Sequence, residues 1–223
     1  VFISEPQIFQ CDISLVMKHS LPHYSYHLNS EDLYDKSLPL DKCKAKGGTL
    51  LLWPPSLDPH ITILPTTTPA LLPCMLKLPG RVTSYHIGVY FPTAGRDDQF
   101  ISTLASLNIL LEDISEKHEG ECPVYIRGDA NASSKNIARS QMLRHFLAQH
   151  NLHRLNIAHK TYHHFVGNGA FDSDLDVVLF SNMLHCSESL TNVICRIENP
   201  LIESLHDIII SSCTVPPAPP THP

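Results

Sequence analysis

Residues 124–132, VYIRGDANA, constrain the chain more than any other stretch. Val124, Tyr125 and Ile126 form a short apolar run of high strand propensity. Gly128 breaks it, and Asp129 and Asn131 follow at once. The pattern predicts a buried strand that delivers a carboxylate and an amide to the rim of a sheet, where α/β proteins bind ligands. Taken alone, a Gly-Asp-x-Asn sequence is better explained by a plain turn. The elements on either side decide between the two readings.

Upstream, Phe100, Leu104, Leu107, Leu111 and Ile114 recur at helical spacing and predict a helix over Asp97–His118, with Asp97 or Asp98 as cap and Gly120 at the exit. Downstream, Ile137, Leu143, Phe146 and Leu147 predict a second helix over 134–150, capped by Ser133 or Ser134. The remaining segments are short and strand-like: 1–3, 49–53, 60–64, 75–78, 84–90, 161–165, 175–180, 188–195 and 208–211. A helix fits 8–17. Residues 18–48 are polar without clear period and read as a long surface loop. Prolines argue against regular structure in the PTTTPALLP run at 65–73. This order is not a strict strand–helix alternation. It predicts an α+β sandwich, two packed mixed β-sheets flanked by helices. One domain over 1–214 is expected, followed by a Pro-rich tail at 215–223 that stays extended and outside the core.

Composition narrows the function classes. The net charge of −6 supplies no global basic footprint for nucleic acid, so any polyanion site has to be local or rely on a bound cation. Seven cysteines without a CxxC pair form neither a zinc motif nor a disulfide framework, and reduced, mostly buried thiols are expected. The fifteen histidines are scattered and read mostly as surface or partly buried residues. No apolar run approaches the roughly 20 residues of a membrane helix, and no signal peptide is visible. The sequence therefore points to an intracellular protein with no membrane partner.

Several polar residues stand at strand ends: Glu5 after VFIS, Tyr90 after YHIGV, Asp129 and Asn131 after VYIRG, Asp176 opening DVVLF, and His206 before DIIIS. Each has a bland reading as a solvated or packed side chain. As an ordered set, from Glu5 to about Ser212, they resemble the endonuclease/exonuclease/phosphatase superfamily. The motifs that carry the resemblance are SEP, GVYFPTAG, GDAN, DLDVVLF and SLHDIII. TYHHFVGNGAFDSDLDVV looks most like the endonuclease domains of non-LTR retrotransposon-type elements.

The resemblance implies a Mg²⁺-dependent endonuclease acting on DNA, with Mn²⁺ as the alternative ion. Glu5 would hold the metal, Asp129 would orient or deprotonate the attacking water, and Asn131 would donate to a phosphate oxygen. Tyr90 would support the phosphate or leaving group. His206 would contact the same phosphate, and Asp176 would orient it or assist a metal. A fusion to a reverse transcriptase and a nuclear location follow if the origin is a retroelement. No oligomeric state is implied. The same fold also serves phosphatases and phosphodiesterases acting on small phosphoesters or lipids, and it leaves room for an inactive remnant.

The sequence departs from the family pattern twice. Leu205 stands where the family has the aspartate that pairs with the histidine, so the imidazole loses an orienting partner. The family also carries a strand with an asparagine ahead of the glutamate. That strand is expected to be missing here, which leaves an open sheet edge and an incomplete site.

Overall fold

The computed structural model describes residues 1–4, 6, 8–31, 46–118, 122–133, 135–154, 162–166, 169–173, 175–181, 191–195, 208–212 and 217. Glu5, Leu205 and His206 lie outside this set, as does most of the 215–223 tail.

Two sheets form the body. The smaller has three strands, β1 (Phe2–Ser4), β2 (Ser25–Glu31) and β3 (Lys46–Trp53), in the order β1-β3-β2, all antiparallel. The larger has six, β4 (Ile61–Ile63), β5 (Leu71–Leu76), β6 (Ser84–Tyr90), β7 (Val124–Asp129), β8 (Leu152–Arg154) and β11 (Asp176–Ser181), in the order β4-β5-β6-β7-β11-β8. Its one parallel pair is β6–β7. Parallel neighbours need a crossover, and α2 (Asp97–His118) supplies it. Hairpins β9 (Tyr162–Val166) with β10 (Gly169–Ser173), and β12 (Thr191–Cys195) with β13 (Ile208–Ser212), complete the described strands.

Side-chain alternation builds the layers. On β6 and β7, Tyr85, Ile87, Val89, Val124 and Ile126 face one way and pack with Phe100, Leu107, Leu111 and Ile114 of α2 and Leu143 and Phe146 of α3 (Ile137–Gln149). The opposite face meets the small sheet, where Leu51 packs with Leu72 and Cys74. There a Cβ on Gly88 would sit 2.4 Å from Phe2 and 2.5 Å from Thr49, so the two sheets approach closely over this residue. Leu50 and Leu52 project outward and are covered by Ile13 and Met17 of α1 (Ile13–Ser20). The result is the expected two-sheet sandwich with helices outside.

The helix α2 has the bounds and buried face that its periodicity predicts, including Phe100, Leu107, Leu111 and Ile114. Other elements differ from expectation. The first helix runs over Ile13–Ser20 and not 8–17. The supposed loop at 18–48 contains β2, whose Leu28 is buried and whose Asn29 amide donates to Leu71 O at 2.7 Å across the sheets. The strand expected at 75–78 lies over Leu71–Leu76 and includes Pro73. The carbonyl of Pro73 accepts from Leu64 N, so the donor it lacks faces the three-residue edge strand and not β6. The second helix begins later than expected. Its cap is Asn136, whose side chain accepts from Arg139 N, and Ile137 is 66% exposed.

Candidate active site at the ends of β6, β7 and β11

The six-stranded sheet brings three of the sequence-selected residues to one rung. Tyr90 closes β6 and is paired with Asp129, which closes β7. Asp129 is in turn paired with Asp176, which opens β11. Alternation puts Tyr90 and Asp176 on the face turned toward the small sheet, and Asp129 lies between them in register. The three residues are separated by 39 and 47 positions in sequence and become lateral neighbours through strand pairing alone.

The small sheet reaches the same place. Ser4 Oγ donates to Val89 O at 3.1 Å and accepts from Asp129 N at 3.3 Å. This docks the end of β1 on the backbone beside the site, one residue before Glu5 in the sequence. Gly128 makes the approach possible. Its φ is +139°, and a Cβ there would lie 2.0 Å from Val89 O and 2.7 Å from Ser4 Oγ.

Asp129 is 4% exposed. A buried carboxylate requires donors, and Asn131 supplies two of them. Its backbone N–H reaches Asp129 Oδ1 at 2.8 Å, and its side-chain amide reaches Oδ2 at 3.0 Å. The first bond is an Asx-type turn, which fits the positive φ of 45° at Asn131. The same amide nitrogen also donates to Phe91 O at 2.8 Å. Both of its hydrogens are therefore directed inward, and the arrangement clamps Asp129 to the exit of β6. Sequence reasoning pointed Asn131 at a phosphate; in the structure it bonds Asp129 and Phe91 O.

Arg139 escaped the sequence reading. It is 1% exposed and reaches across from α3 to Pro92 O, Thr93 O, Asn131 O and the carboxylate of Asp97. The available signal was a charged residue at 139 in line with the apolar positions 143 and 146.

Among the described residues, the side chains carried by the rung are those of Tyr90, Asp129 and Asp176, with Asn131 beside them, and each bears oxygen. That set suits a hard, hydrated cation such as Mg²⁺. Among the described residues no group of three or more His, Cys, Asp or Glu is placed to hold a metal ion.

No protein-family model and no curated protein matches the chain. Solved structures do. The endonuclease domain of TRAS1, a telomere-specific non-LTR retrotransposon, superposes with a TM-score of 0.63 at 16% identity, over 86% of this chain and 81% of that one. At this identity the likeness is one of fold. Other solved structures share the fold. The 3'-5' exonuclease NExo from Neisseria meningitidis gives 0.62 at 12% identity, over 95% and 88% of the two chains. The human nocturnin catalytic domain with bound sulfate gives 0.56 at 13%, over 95% and 81%. Among the described residues no helix is long and apolar enough to cross a membrane.

Proposed function

We propose that this chain is a Mg²⁺-dependent phosphodiesterase that cuts DNA as an endonuclease. The observation that carries the reading is the Tyr90–Asp129–Asp176 rung, with Asp129 clamped by Asn131. Support for the substrate comes from two relatives of the same fold, the TRAS1 endonuclease domain and a Neisseria NExo structure bound to product DNA hairpin.

In this reading the buried carboxylate of Asp129 orients a water molecule and takes its proton as the water attacks phosphorus. Asn131 keeps that carboxylate in one orientation. The Tyr90 phenol donates to the phosphate or to the departing oxygen, and Asp176 orients the phosphate-binding side of the rung. From the sequence, Glu5 is assigned as metal ligand and His206 as a phosphate contact. When bound, Mg²⁺ supplies neutralisation of charge at the phosphate. Leu205 stands where the family has the aspartate that pairs with the histidine. Leu205→Asp is expected to raise turnover about ten-fold, a common size for partners of catalytic groups; an unchanged rate would count against the enzyme reading.

The test is nicking of supercoiled plasmid with Mg²⁺ or EDTA, by the wild type and Asp129→Asn. Metal-dependent nicking lost in Asp129→Asn supports the reading. Release of phosphate from small phosphoesters without nicking moves the substrate to that class. Inactivity in every assay leaves the fold with no enzymatic role.

A further inference from the structure

Arg139 is the most deeply buried charge among the described residues, and its surroundings are complete. A guanidinium has five N–H donors in a fixed fork. Nε donates to Asp97 Oδ1 at 2.8 Å. Nη1 donates to Pro92 O at 2.5 Å and to Asn131 O at 3.3 Å. Nη2 donates to Thr93 O at 3.0 Å and meets Asp97 Oδ1 at 2.7 Å. The cation lies over the Phe100 ring, 4.6 Å from its centroid. Asp97 itself is 65% exposed, so the ion pair has one wet end.

The acceptors matter more than their number. Pro92 and Thr93 belong to the exit of β6, just past Tyr90. Asn131 belongs to the exit of β7, and it is the residue that clamps Asp129. Three carbonyls from two loops are thus fixed to one rigid plane, next to the rung that carries the proposed chemistry. A core that needed only bulk at this position would take a leucine at far lower desolvation cost.

We infer that Arg139 is a positioning residue: it locks the two strand exits together and so sets the orientation of Asn131 and the Asp129 carboxylate. This rests on the proposed phosphodiesterase reading for its catalytic consequence, but not for its structural one. Lysine keeps the charge yet has three donors on a point cation. It cannot hold both loops and Asp97 at once.

The experiment pairs a structural readout with a kinetic one. In the wild-type protein, NMR of the arginine side chains should show the Arg139 Nη protons as separate, exchange-protected signals, as a fully engaged guanidinium requires. A single averaged signal would overturn the inference, and this arm needs no variant to fold. In Arg139→Lys, the side-chain amide signals of Asn131 should shift or broaden while the fold persists. Plasmid nicking should fall about 10- to 100-fold in kcat with KM little changed, because alignment and not binding is lost. Asp97→Asn, which spares the carbonyl contacts, should lose much less. Unchanged Asn131 signals in Arg139→Lys, or an equal loss in Asp97→Asn, would contradict the assignment. Wild-type inactivity with protected Arg139 protons would instead refute the enzyme reading alone.

Discussion

Two guanidinium groups flank the β6–β7 pair, and the protein accommodates them in opposite ways. At the strand exits, Arg139 meets carbonyl oxygens and a carboxylate with every donor, and it keeps Phe100 beneath it. In the middle of the pair, Arg127 is half-buried between the sheets, with Nη1 3.4 Å from His86 Nδ1 and its cation 5.6 Å from the Tyr125 ring centroid. There the neighbour yields. Burial, followed by the charge of Arg127, pushes the His86 imidazole down to about 3, so it stays neutral and stacks on Tyr125. At the exits a charge is used to fix backbone in place. In the sheet centre the charge of Arg127 lies beside an imidazole that burial, first, and that charge, second, keep neutral. Fixed geometry is concentrated where the proposed chemistry sits.

The largest expected effect breaks the strand-exit side. Asp129→Asn should lower phosphodiester cleavage by about 1000-fold, roughly 4 kcal/mol of transition-state stabilisation, and should also lower the melting temperature, since its buried NH2 would face a donor of Asn131. Cleavage within a few-fold of wild type would show that the clamped carboxylate is architectural. Next comes Gly128→Ala. Its Cβ would meet Val89 O, a backbone atom that cannot swing aside. A loss on the order of 3 kcal/mol is expected in denaturant unfolding. A neutral result would mean that the close docking of β1 at this rung is absent in solution.

The sheet-centre side is tested by pH. The folded pKa of His86 lies at about 3, below the ordinary 6.5, so the unfolded chain binds the extra proton first. The stabilisation is full above about pH 6.5 and is lost as pH falls toward 3. His27 and His150, also lowered by burial, contribute with the same sign. His86→Asn should therefore flatten the acid limb of the stability curve by on the order of 2 kcal/mol. An acid limb identical to wild type would show that His86 protonates without penalty. The smallest effect is at the start of α3. Asn136→Ala removes the side-chain cap and should cost about 1 kcal/mol.

These contrasts also mark what the sequence discloses. Strong periodicity gave α2 its bounds, because five apolar positions on one face leave few alternatives. The rung was legible as separate strand ends; its register was not, since pairing joins residues 39 or more apart. The strand β2 was hidden because SYHLNSE holds one strongly apolar residue, and its Asn29 is used for a bond to Leu71 between the sheets. Pro73 disguised β5, since its missing donor matters only toward a short edge. Arg139 was invisible because its partners are mostly backbone carbonyls, which no sequence pattern displays.

The central claim is that Tyr90, Asp129 and Asp176 form one metal-assisted site. Mn²⁺, a paramagnetic substitute for Mg²⁺, tests it directly by relaxation of backbone amide signals. At substoichiometric Mn²⁺, the amides of Tyr90, Asp129, Asn131 and Asp176 should broaden first and together, and Mg²⁺ should reverse the effect. Broadening confined to other residues, or signals at this rung that persist under saturating Mn²⁺, would contradict the account.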